Sequence, residues 1–258
     1  MPAPTAAPAA APAAAPAAAP AVDPAVDPAA PRALRWRGAV TAWLSALLAA
    51  SPYPVLLLVG TVLLDARPAA DRARWLAWAS TDLTGLADHP VQALLASAVV
   101  TEGDLAAWLV LALAGLTALA RLRPGPPGRL RPTLAAGWRP LALGLAVHVL
   151  ATGVSQGITA WRVAAGSLPA SARVMTDVGP SYLVVAVLVA AVAYGTRAGR
   201  VAGALGFGVL APSLFGGLTD LDVAPVGHVA SIALSLALGA VLVRPRSGPP
   251  PSAVIMHT

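Results

Sequence analysis

Residues 181–194 read SYLVVAVLVAAVAY, fourteen positions without a charge, with hydroxyls only at the two ends. A segment of this kind in lipid satisfies its backbone N–H and C=O groups internally only as a helix, since an open strand leaves them unpaired. Five further runs of similar character lie at 39–64, 105–120, 141–158, 201–215 and 226–243, separated by breaks rich in Arg, Gly and Pro. The whole chain of 258 residues is 57% hydrophobic and 11% charged, with a mean hydropathy of +0.74. A water-soluble domain carries about 25% charged residues to wet its surface, so that class is excluded. The fold predicted is all-α: a polytopic membrane protein with six spans.

Outward from these runs the chain divides into three parts. Residues 1–31 are almost entirely Ala and Pro, with proline every fourth position from Pro4 to Pro28. That spacing forbids a helix, and the segment lacks the positive start and apolar centre of a secretory signal; a retained, disordered or polyproline-like tail is expected. Residues 32–246 form the membrane domain, and 247–258 a second disordered tail. Pro52 and Pro54 predict a kink in the first run. The long connection 65–104 carries Trp75, Trp78 and the apolar stretch 91–100, a pattern that predicts an amphipathic segment at the membrane interface.

Every basic residue is arginine, and their placement sets an orientation. With the N-terminal tail inside, one side holds Arg32, Arg35, Arg37, Arg121, Arg123, Arg129, Arg131, Arg139, Arg197, Arg200, Arg244 and Arg246; the other holds Arg67, Arg72, Arg74, Arg162 and Arg173. The excess puts both termini in the cytoplasm of a multi-pass cell-membrane protein. The net charge of +6 comes from short clusters flanking apolar runs, which suit an anionic lipid leaflet and not nucleic acid. The lipid bilayer is therefore the expected partner. Cysteine is absent, which removes disulfides, thiolate metal sites and cysteine nucleophiles. Nothing implies a cofactor or a metal, because no phosphate-binding glycine loop precedes a helix and no ligand cluster suits zinc.

Polar groups inside spans carry the functional information. His148, Thr152, Ser155, Gln156 and Thr159 fall on one stripe of the third span, which must face protein. His228, Ser231, Ser235 and Gly239 form a similar seam on the sixth, where small residues let a neighbouring helix approach. The fourth span, opening Gly179-Pro180-Ser181-Tyr182 and running parallel to the sixth, is the natural partner. Its fourteen residues reach only about 21 Å, short of the roughly 30 Å hydrocarbon core. Ser181 then lies below the outer surface at a helix N-terminus, where free N–H groups favour an oxyanion, at a depth similar to His228. Ser181 and His228 are candidate nucleophile and general base; from spacing alone, a serine opening a helix is usually a cap and a single histidine usually a satisfied core residue. Gly203, Gly206 and Gly208 read as packing positions. No internal repeat points to transport. His89 and His257 show no partner in the sequence.

Val178-Gly179-Pro180-Ser181 resembles the Gly-x-Ser-Gly nucleophile motif of rhomboid proteases, and Gly227-His228-Val229-Ala230-Ser231 resembles the family's final-span motif, Gly/Ala-His followed by x-x-Gly. Both stand in the proper spans and order, and about 36–246 is similar to the divergent rhomboid-like membrane proteins of actinobacteria. The resemblance implies a six-transmembrane-helix rhomboid-like bundle in which Ser181 attacks a peptide bond of a transmembrane substrate and His228 takes its proton. Tyr182 replaces the glycine after the serine, and Ser231 replaces a glycine on the facing seam. Thr101-Glu102-Gly103-Asp104-Leu105-Ala106-Ala107-Trp108 supplies neither the His nor the Asn that active members bring as oxyanion donors. Two functions follow: an intramembrane serine protease, or a catalytically inactive relative that binds membrane-protein partners.

Overall fold

The computed structural model describes residues 32–122, 130–175 and 177–243. The expected tails at 1–31 and 247–258 lie outside them, as do Arg123, Arg129, Arg244, Arg246 and His257. The described residues form ten α-helices and no strand: α1 Arg32–Ala50, α2 Pro52–Asp65, α3 Ala69–Ala79, α4 Leu83–Asp88, α5 Pro90–Ala98, α6 Leu105–Ala120, α7 Leu130–Ala164, α8 Ser181–Tyr194, α9 Arg197–Leu214 and α10 Val223–Leu242. Short 3₁₀ turns at Ala170–Val174 and Leu218–Asp220 precede α8 and α10.

The all-helical class holds, but the expectation of six full spans does not. Two helical segments are long and apolar enough to cross a bilayer, Ala136–Ala164 and Val223–Leu242, or three if α1 and α2 count as one span bent by 44°. The kink expected at Pro52 and Pro54 is that bend. The physical reason for the lower number is length and polarity. With 16 and 14 residues, α6 and α8 reach only about 24 and 21 Å. Arg197, Arg200 and glycines 199, 203, 206 and 208 dilute the apolar character of α9.

The packing is organised around α8, which contacts α6, α7, α9 and α10. Leu183 through Leu188 have no exposed surface at all. A helix apolar on every side belongs in the centre of a bundle, and this one has no charged position to place outside. Small residues on its neighbours let them close in. A Cβ at Gly115 of α6 would stand 2.7 Å from Val187, and one at Gly203 of α9 would stand 2.8 Å from the Leu188 carbonyl oxygen. Gly206 also packs against Leu188, whereas Gly208 faces open space, so two of the three glycines assigned to packing serve it. The periphery is apolar too: Val201, Leu205 and Val209 form an exposed stripe on α9, and most of α2 is likewise bare. Such a surface suits acyl chains and not water.

Two tyrosines set α8 against α10. Tyr182 lies over Gly227 and Tyr194 over Gly239; a Cβ on either glycine would come within 2.5 Å of the ring it faces. Each phenol donates to a carbonyl slightly earlier on α10, Val223 for Tyr182 and Leu236 for Tyr194. The two tyrosine–glycine pairings have the same sequence separation, so the helices run parallel and in fixed register.

Candidate functional site

The N-terminal end of α8 is built from its approach segment. Gly179 has φ +144°, a conformation costly for any residue with a Cβ, and it turns the chain into Pro180 and then Ser181. This segment is stitched to the α3–α5 region. The Gly179 N–H donates to the Ser97 carbonyl (3.2 Å), Thr81 donates to the Asp177 carbonyl from both its N–H and its hydroxyl (3.0 Å each), and the Asp177 N–H donates to Ser80 Oγ (3.1 Å). Asp82 caps α4 beside it, accepting from the N–H groups of Thr84 and Gly85. The connection 65–104 therefore folds as three helices that grip the start of α8.

Ser181 is half-buried as the first residue of α8, and its hydroxyl makes no hydrogen bond among the described residues. His228 is buried on α10, and its Nδ1 lies 2.9 Å from the Leu214 carbonyl. That oxygen ends α9, where helix carbonyls lack intrahelical donors. A carbonyl accepts only, so Nδ1 carries the proton and Nε2 presents a lone pair. Nε2 is buried without a partner among the described residues. His228 thus has the tautomer of a general base, but no hydrogen bond joins it to Ser181.

Tyr182 packs against His228 instead. Its ring meets His228 edge-on at 5.3 Å between centroids and His148 at 6.0 Å, and it is 2% exposed. Its hydroxyl is shared between Asp177 Oδ2 (3.1 Å) and the Val223 carbonyl (3.3 Å). Asp177 lies outside the spanning helices. Removal from water pushes its carboxyl above the usual range, opposed by the hydrogen bonds from Tyr182 and Thr81.

The two polar stripes read from the sequence are buried as expected: His148, Thr152, Ser155, Gln156 and Thr159 on α7, and His228, Ser231 and Ser235 on α10. Much of their polarity is spent locally. Ser155, Thr159, Ser231 and Ser235 donate to carbonyls one turn back on their own helices. His148 makes a contact that sequence reading missed, with Ser97 Oγ 3.0 Å from Nε2. Ser97 also lies 3.2 Å from the Leu94 carbonyl as a donor. With that bond made, the imidazole donates to Ser97. Both side chains are at least 98% buried, so the pair ties α5 to α7. The signal for it was weak, because Ser97 is a lone hydroxyl in an apolar stretch of a connection.

Glu102 and Asp104, which stand where oxyanion donors would be sought, are both exposed. Asp104 caps α6 through the Ala107 N–H. His89 does find a partner, stacking on Trp78 and bonding its carbonyl at 3.0 Å. Among the described residues no cluster of three or more His, Cys, Asp or Glu suits a metal ion.

An apolar groove of about 500 Å³ opens between α2, α5 and α7, with Tyr53, Leu95 and Leu145 in its walls. Residues 52–248 match a protein-family model described as rhomboid-like protein. No curated protein and no solved structure gives a significant match.

Proposed function

Because the chain belongs to the rhomboid-like protein family, we propose that it is a multi-pass membrane protein that holds transmembrane segments of partner proteins without cleaving them. The observation that carries this reading is Tyr182. Its ring packs over Gly227 and edge-on against His228, and no hydrogen bond joins that imidazole to Ser181, whereas a nucleophile and its base need a direct contact of about 2.6–3.2 Å. The missing oxyanion donors support the same reading, since loss of even one such donor lowers turnover about 10²–10³-fold. The groove between α2, α5 and α7 is where a partner helix lies against the bundle. Both termini are cytoplasmic in this proposal, following the arginine bias.

A second reading, an intramembrane serine endopeptidase with Ser181 as nucleophile and His228 as base, is favoured by one observation: the His228 tautomer leaves a lone pair on Nε2. Its chemistry requires Ser181 Oγ to reach that nitrogen. The test is labelling with a serine-directed fluorophosphonate in detergent and in bilayers. No labelling, together with photo-crosslinking of membrane partners from a probe at Leu95, supports the binding function. Labelling abolished in both Ser181→Ala and His228→Ala supports the protease.

A further inference from the structure

Two cavities on the connection between α2 and α6 share a wall. The outer one, about 550 Å³, opens on the exposed face of α3 and is lined by Arg67, Asp71, Arg74, Trp75 and Trp78. The inner one, about 200 Å³, runs between α2, α3 and α5, with Leu64, Leu76, Ala96 and Val99 in its walls. Arg67 and Trp75 belong to both. Gly60 is what brings α2 so close to the end of α5, since a Cβ there would stand 2.3 Å from the Val99 carbonyl oxygen.

The charges at the mouth are unevenly matched. Arg74 pairs with Asp71, and Arg72 with Asp65 at 3.4 Å. Arg67 has no carboxylate partner among the described residues; its guanidinium lies over the Trp75 ring, 4.4 Å from the centroid. Trp75 and Trp78 pack edge to face at 5.0 Å and remain partly exposed, the placement of indoles at a membrane interface. An inorganic anion would use only the outer cavity and a free hydrocarbon only the inner. A molecule with an anionic head and an apolar chain uses both.

We propose that this composite cavity binds an anionic phospholipid, with its phosphate on Arg67 beside the Arg74–Asp71 pair and the start of one acyl chain in the crevice between α2, α3 and α5. The site does not depend on whether the bundle cleaves its partners, and lipid retention is read separately from serine labelling. The test is native mass spectrometry of the full chain released from micelles containing phosphatidylglycerol or phosphatidylcholine with identical chains. Retention of phosphatidylglycerol should exceed that of phosphatidylcholine. Arg67→Gln should lower it about fivefold, the weight of one interfacial arginine near an anionic lipid. Ala96→Phe, which fills the crevice without touching the charges, should lower it as well. Matched thermal melts establish that both variants fold. Equal retention of the two lipids, an unchanged Arg67→Gln, or displacement of the lipid by millimolar glycerol phosphate alone would overturn the proposal.

Discussion

Substituting Gly227 by Ala tests whether Tyr182 is locked between α8 and α10. The new methyl carbon would lie 2.2 Å from Tyr182 Cζ and 2.3 Å from its hydroxyl oxygen. The ring has little room to retreat, being 2% exposed and flanked by His148 and His228. Overpacking of a close-fitted core costs about 1–3 kcal/mol, and displacing the phenol from Asp177 and Val223 adds about 1 kcal/mol for a lost hydrogen bond. A loss of about 3 kcal/mol is expected for Gly227→Ala. Tyr182→Ala alone should cost about 3–5 kcal/mol, the range for deleting a buried aromatic ring. The double variant should be no worse than Tyr182→Ala, because the ring that the methyl strikes is gone. The resulting coupling of about 3 kcal/mol far exceeds the roughly 0.5 kcal/mol scatter of independent sites. Reversible unfolding in mixed dodecylmaltoside and dodecyl sulfate micelles measures all four corners of the cycle. Additive losses would refute the packing argument and reopen the contact between Ser181 and His228.

Other perturbations reach neighbouring parts of the cluster. Tyr182→Phe keeps the ring but removes the phenol's hydrogen bonds to the Val223 carbonyl and Asp177 Oδ2, and should cost about 1 kcal/mol in the same assay. Asp177 has a raised folded-state pKa, so its contribution to stability is fully present below the unfolded value and falls as pH rises through the folded one. Unfolding measured from pH 4 to pH 8 should show that decline in the wild type and a flatter profile in Asp177→Asn. Ser97→Ala should lose about 1–3 kcal/mol by leaving the buried His148 imidazole unpaired at both nitrogens. On α7, Gly137→Ala should destabilise strongly, with its Cβ 1.9 Å from the Ala49 carbonyl oxygen. Gly153→Ala, which meets nothing within 4 Å, should be neutral or stabilising by up to about 1 kcal/mol. Equal effects at the two glycines in thermal melts would contradict the α1–α7 crossing.

Where hydropathy alone decides structure, the sequence was readable. The helices at 105–120 and 181–194 begin and end where their apolar runs do, because a charge, glycine or proline bounds each of them. The third run is less legible: α7 extends from Leu130 to Ala164, passing through Pro140, since one proline removes a single backbone donor and adjacent turns can carry the helix across it. The burial of the His148 and His228 stripes could be read from helical spacing, because an unmet polar group in lipid must turn inward. The meeting of Ser97 with His148 could not, as it joins residues 51 positions apart through the folding of a connection whose periodicity is short. Tyr182 shows the limit most plainly. Read against a motif it is a bulky residue where glycine belongs; in three dimensions the missing space is supplied by Gly227 on the opposing helix.

The paired tyrosine notches have a consequence for how the bundle sits in its surroundings. Helix α8 has no charged side chain with which to find its own level, and lipid thickness has almost no surface of it to act on. Its vertical position is dictated by where two phenol rings drop into α10, twelve residues apart at each helix. A thicker or thinner bilayer can tilt the whole assembly, yet Ser181 will keep its height relative to His228.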